Sequence, residues 1–122
     1  MTEDFTMIRA APVCWVRDIQ AMIDFYTQRL GFSDVWKQGN QQSPEYAIVS
    51  IDGVQLHFAP QKPEFAGHSY FHMLMANVDA YRTFVGAQDV EIVKELGDRD
   101  YDMRDFMIRD VEGNLIEFGQ SL

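Results

Sequence analysis

Tyr46-Ala47-Ile48-Val49-Ser50-Ile51-Asp52-Gly53-Val54-Gln55-Leu56-His57-Phe58-Ala59-Pro60 reads as two strands joined by a two-residue turn. Asp-Gly supplies the positive φ angles that so tight a turn demands. Folding about it sets Ile51 opposite Val54, Val49 opposite Leu56 and Ala47 opposite Phe58, so one face is wholly apolar and must be buried. The other face carries Tyr46, Ile48, Ser50, Gln55, His57 and Ala59, a mixture that suits neither a core nor an ordinary solvent surface. A second hairpin, Arg104–Gln120 around Glu112-Gly113, repeats the first. The segments before each hairpin repeat too. Ala11–Val16 leads into Arg17-Asp18 and a helical stretch ending at Gly31-Phe32; Tyr70–Ala76 leads into Asn77-Val78-Asp79 and a second helical stretch. Asp18 and Asp79 lie 61 positions apart and Gly53 and Gly113 lie 60 apart, so a single register spans the chain.

The first helix has a cap in Asp18, an apolar stripe in Ile19, Met22, Ile23, Tyr26 and Leu30, and a left-handed stop in Gly31. The second begins at Asn77 or Asp79, buries Tyr81, Phe84 and Val85, and stops near Gly86. Residues 1–8 are expected as a loose arm, 37–45 as a polar loop, and 60–69, with Pro60, Pro63 and Gly67, as the connection between halves. A half of roughly 60 residues makes only a marginal core alone, whereas 122 residues with 47% hydrophobic content make a full one. The chain therefore reads as one domain, 1–122, with a first module at 9–60, a linker at 61–68 and a second module at 69–120.

Ten basic against nineteen acidic residues leaves a net charge of −9, which excludes the basic surface that nucleic-acid binding needs. A neutral or cationic small molecule is favoured instead. No run of 18 apolar residues and no basic-then-apolar leader is present, so the sequence predicts a soluble cytoplasmic protein with no membrane partner. Cys14 fits a reducing compartment and reads as a small buried apolar residue.

Period-two alternation sorts the other strands. Cys14 and Val16 face the helices and leave Ala11, Val13 and Trp15 outward. Phe71, Met73 and Met75 face inward and leave Tyr70, His72 and Leu74; Ile116 and Phe118 leave Leu115 and Glu117. The outward face thus gathers Trp15, Tyr46, His57, Tyr70, His72 and Glu117, the profile of a small-molecule pocket, with a dimer interface through the same residues as the alternative. His57, His72 and Glu117 share that face and form a candidate two-His-one-carboxylate metal set. Ser50 near His57 lacks the strained elbow of a nucleophile. Asp110–Asn114 lacks calcium-loop spacing and reads as a turn. Asp98, Asp100, Asp102 and Asp105 read as a solvated acidic loop at the cleft mouth, able to attract a cation.

Pro12–Asp18, Phe25-Tyr26 with Leu30-Gly31-Phe32, Asp52-Gly53-Val54, and Tyr101–Phe106 running on to Arg109–Asn114 resemble the vicinal oxygen chelate superfamily of glyoxalases, extradiol dioxygenases and fosfomycin- and bleomycin-resistance proteins. The likeness covers nearly all of residues 9–120. It implies an α+β fold of paired βαβββ modules forming a curved mixed sheet around a cleft. The run at Tyr101–Phe106 most resembles the bleomycin-resistance branch, with Asp102 in place of its Gly and Val111 in place of its Pro. Metal-using members place ligands at positions that fall here on Ala11, Gln55 (or His57), Tyr70 and Glu117. Ala11 has no donor atom, and of the others only Glu117 is a strong ligand, so no cofactor is expected; one divalent ion, on His57, His72 and Glu117, is the alternative.

The resemblance implies metal-independent sequestration of a planar, partly cationic natural product of the bleomycin type by a homodimer with exchanged arms. Trp15, Trp36, Tyr46, Tyr70 and Tyr101 would give flat contact beside Met107. Gln55, His57 and His72 would orient the ligand, and Glu117 with the acidic loop would meet its positive charge. The alternative is a metal-dependent glyoxalase- or dioxygenase-like enzyme with a non-standard ligand set or with Glu117 as general base.

Overall fold

Residues 4–62 and 68–122 are described by the computed structural model. The first module runs β1 (Val13–Val16), α1 (Ile19–Gln28), β2 (Asp34–Gly39), β3 (Pro44–Ile51) and β4 (Val54–Pro60). The second runs β5 (Tyr70–Leu74), α2 (Val78–Gly86), β6 (Glu91–Asp98), β7 (Met103–Arg109) and β8 (Leu115–Ser121). Each module forms a four-stranded mixed sheet, ordered β1-β4-β3-β2 and β5-β8-β7-β6. The first strand of each pairs in parallel with the last, and the remaining ladders are antiparallel. This is the expected α+β fold of two βαβββ modules.

The Asp52-Gly53 turn sets the β3–β4 register as the sequence predicts: Ala47 pairs with Phe58, Val49 with Leu56 and Ile51 with Val54. Asp52 and Gly53 both take positive φ, 51° and 79°. The buried face of this hairpin joins Cys14, Val16 and the α1 stripe in one core with Val78, Val85, Phe106, Ile108, Ile116 and Phe118 of the second module. Tyr26 is the largest fully buried side chain and packs edge-on against Phe32 and obliquely against Phe58. Burying an apolar side chain of this kind contributes about 1.5–3 kcal/mol, so the shared core is what makes two marginal halves one fold.

Both helices are capped as their sequences indicate. Asp18 accepts from Ala21 N and Asn77 accepts from Ala80 N. Two expectations change. Phe84 is exposed instead of buried, because it lies across Gly31, where a Cβ would come within 3.3 Å of its ring, and stacks on Tyr81. The polar segment 37–45 is mostly strand: Lys37 pairs with Ala47 and Gln38 with Tyr46, and only Asn40–Ser43 remain between β2 and β3. An edge strand exposed on both faces needs no apolar alternation, so its polar composition hides it. Residues 4–8 of the arm are exposed and without regular structure, while residues 1–3 and the linker's Pro63 and Gly67 lie outside the described residues.

Candidate functional site

The face turned away from the helices carries its polar groups in two hydrogen-bonded sets, one per module. In the first, the Tyr46 hydroxyl donates to His57 Nδ1 at 2.7 Å, and His57 Nε2 lies 3.2 Å from Gln55 Oε1. Gln55 Oε1 can only accept, so Nε2 carries the proton and Nδ1 takes the tyrosine's. The ring is satisfied as a neutral imidazole. Burial, and then the positive charge of Arg9, lower the His57 pKa below its ordinary value and reinforce that state.

The second set is larger. Glu117 on β8 is buried, as is Asp105 on β7. The Tyr70 hydroxyl donates to Glu117 Oε1 at 3.2 Å, and the Lys94 ammonium donates to Glu117 Oε2. Lys94 Nζ also lies 3.3 Å from Asp105 Oδ1 and donates to the Tyr101 hydroxyl at 3.3 Å. Asp105 receives Tyr101 at 2.7 Å and Arg99 Nε at 2.8 Å. Burial works against ionising Asp105, but the hydrogen bonds from Tyr101, Arg99 and Lys94 outweigh it and hold its pKa below the usual carboxylate value. Lys94 likewise stays ammonium: desolvation opposes its charge, while bonds to Glu117, Tyr101 and Asp105 raise its pKa. Two anions and two cations close the set electrically. Of the expected solvated acidic loop, Asp98, Asp100 and Asp102 are exposed, Asp98 bonded to Arg104 at 2.7 Å, and only Asp105 is corrected, to a buried hub.

A cavity of about 300 Å³ is lined by both modules, with Arg9, Pro12 and Gln55 from the first and Phe71, His72 and Leu74 from the second; Tyr46, Tyr70 and Tyr101 do not line it. Gln55 connects it to His57 and Tyr46. His72 connects it to Glu117, its partner in the β5–β8 register. Met107 sits in the ladder between Lys94 and Glu117. Trp36 lines a neighbouring depression with Ile48, Ser50 and Gln55. Trp36, Tyr70 and Tyr101 are 53%, 61% and 53% exposed. Trp15 stands elsewhere, in a depression with Gln61, His68 and Glu112, where the Lys62 ammonium lies 5.9 Å from its ring centre.

The donor set does not suit a metal ion. Ala11 offers nothing, Tyr70 and Lys94 already bond both Glu117 oxygens, and both nitrogens of His57 are engaged. Among the described residues no three His, Cys, Asp or Glu side chains converge so as to hold an ion. Lys94, Arg99 and Arg9 are the site groups that sequence reasoning passed over. The acidic residue in Tyr101–Phe106 was their one signal, because a buried Asp needs cationic partners.

A family model described as the Glyoxalase/Bleomycin resistance protein/Dioxygenase superfamily matches residues 9–118. Among solved structures, the fold is similar to that of TioX from Micromonospora sp. ML1, at 20% identity and a TM-score of 0.82, covering 95% of this chain and 100% of that one. It is similar to TnmS3, an antibiotic binding protein from Streptomyces sp. CB03234, at 20% identity and 0.79, covering 97% and 100%. A glyoxalase-related enzyme from Clostridium phytofermentans, at 16% identity and 0.79, covers 97% and 98%. No curated protein matches the sequence.

Proposed function

The chain belongs to the Glyoxalase/Bleomycin resistance protein/Dioxygenase superfamily, and from that premise we propose that it binds and sequesters a small planar natural product without a metal ion and without turnover. One observation carries this reading: a cavity shared by both modules, lined by Pro12, Gln55, Phe71, His72 and Leu74, with a neighbouring depression that shares Gln55 and carries the exposed Trp36. Such a surface offers stacking without presenting an activated nucleophile, and its one charged lining group is the Arg9 guanidinium. Trp36, Tyr46, Tyr70 and Tyr101 are the stacking groups, with Met107 as a soft filler and Trp15 as an outlying contact. Each ring contributes about 0.5–2 kcal/mol, so three or four suffice for tight binding to a preformed cleft. Gln55, His57 and His72 fix orientation by hydrogen bonds. With Glu117 already paired to Lys94, attraction for a partly cationic ligand of the bleomycin type rests on the net charge of −9.

The working form in this reading is a cytoplasmic homodimer. Its support is the apolar surface left exposed at Phe5, Met7 and Ile8 of the arm and at Val13 and Leu74 beside the cavity. Likeness to TnmS3, named as an antibiotic binding protein, agrees with the ligand class.

Calorimetry with metal-free bleomycin on chelator-treated protein tests the reading. Saturable binding is expected, and Trp36→Ala or Tyr70→Ala should weaken it about tenfold with an unchanged melting temperature. Binding that requires an added divalent ion, or equal affinity in both variants, removes the proposal in favour of a metal-dependent enzyme or a bare subunit seam.

A further inference from the structure

We propose that the Lys94 ammonium stands where a divalent cation would sit, held by oxygens of Glu117, Asp105 and Tyr101, and that it thereby closes this face of the second sheet to metal. The ammonium does so whichever small molecule the cavity takes.

The chain goes out of its way to put Lys94 there. Along β6, Lys94 shares parity with Ile92 and Leu96, which pack against the core. Plain alternation would turn it inward with them. The β6–β7 register shifts between Ile92 and Lys94 and again between Lys94 and Gly97, so that Ile92 faces Ile108 while Lys94 faces Met107. Extra residues of this kind re-aim side chains and gather beside functional sites. Here the first shift brings Lys94 onto the outward face beside Glu117.

Once there, the ammonium has oxygen on three sides. It donates to Glu117 Oε2 and the Tyr101 hydroxyl and pairs with Asp105 Oδ1 at 3.3 Å. The second oxygen of Glu117 accepts from Tyr70 and the second oxygen of Asp105 from Tyr101. Two buried carboxylates that reach a single point would repel and favour protonation of one of them unless a cation lay between. Arg99 Nε also donates to Asp105 Oδ1 at 2.8 Å, so the all-oxygen arrangement around the ammonium keeps one negative charge in excess once Lys94 is removed. Carboxylate and hydroxyl oxygens are the donor class of hard ions such as manganese and calcium. A tethered ammonium competes with any free ion from within the molecule, at high effective concentration.

Manganese chloride is the probe, with uptake followed by the paramagnetic resonance of the free ion. Wild type and Lys94→Arg should show no saturable uptake up to about 1 mM. Lys94→Ala should take one equivalent at least about tenfold more tightly, and Lys94→Ala with Glu117→Gln should lose it again. Uptake by wild type as tight as by Lys94→Ala overturns the proposal, and so does a folded Lys94→Ala that takes none. Should Lys94→Ala fail to fold, manganese is expected to restore its melting transition where potassium chloride of equal ionic strength does not; no such rescue also overturns it. Bleomycin calorimetry on wild type needs no metal, so its failure and the failure of this test are distinguishable.

Discussion

Asp102 is one of two residues, with Val111, at which this chain departs from the pattern it resembles, and its backbone shows what the departure costs. The position keeps a left-handed φ of 62°, its amide bonds Arg99 O at 3.2 Å, and its carbonyl accepts from Leu122 N at 3.1 Å. The turn is therefore the one a Gly would make, occupied by a residue with a Cβ. Left-handed backbone costs a non-Gly residue about 1–2 kcal/mol, least for Asp and Asn, and Gly loses part of the gain to chain entropy. Asp102→Gly should raise stability by up to about 1 kcal/mol in urea unfolding; a loss would mean that the carboxylate itself holds the turn. Cys14 gives a sharper test of burial. It is fully inaccessible, and burial raises its thiol pKa to about 11. It should react with a disulfide reagent only at the rate of unfolding, and fast labelling of the native protein at pH 8 would contradict its place in the core.

Among the elements, the turn between β7 and β8 adds polar ties between the modules to the shared core. Asp110 is buried and accepts from the Tyr26 hydroxyl of α1 at 2.8 Å, from Glu112 N at 2.9 Å and from both nitrogens of Asn114. Asn114 Oδ1 in turn accepts from Ser69 N at 2.8 Å. The Glu112 carboxylate reaches Asp18 N at 2.8 Å and Arg17 Nε at 3.1 Å, so a turn of the second module steadies the entry to the helix of the first. Asp110→Ala leaves several buried donors unmet and should cost about 3 kcal/mol, whereas Glu112→Ala frees donors on the exposed Arg17 and Asp18, which water can meet, and should cost about 1 kcal/mol. Urea midpoints that fall in the reverse order would refute this division of labour. None of these long-range bonds was legible in the sequence, which marks Asp110–Asn114 only as a turn. The β3–β4 ladder was legible to the residue, because Asp52-Gly53 fixes its loop length and alternation does the rest. β6 was not, because its two register shifts break the period from which Lys94 would have been placed.

At the scale of the whole molecule, charge and hydrogen bonding pull acid stability in opposite directions. A net charge of −9 repels itself, so mild acidification relieves strain and should stabilise the fold at low salt. The buried groups act the other way. His57 has a lowered pKa in the folded state, so below its ordinary 6.5 the unfolded chain takes up the proton first. Stability must then fall from about pH 6.5 down to the folded pKa and level off below it. Asp105, with a folded pKa below 3.8, contributes stability that is present above that value and is lost as pH falls through the folded pKa. Salt separates the effects, since at about 1 M the Debye length is near 3 Å and surface repulsion fades while the buried groups remain. Melting temperature in high salt should thus be level from pH 8 to 7, drop below 6.5 and drop again under pH 4. His57→Gln should abolish the first step alone. If that step survives the substitution, the Tyr46–His57–Gln55 set is not closed around a neutral ring, and the orienting role given to it in ligand binding goes with it.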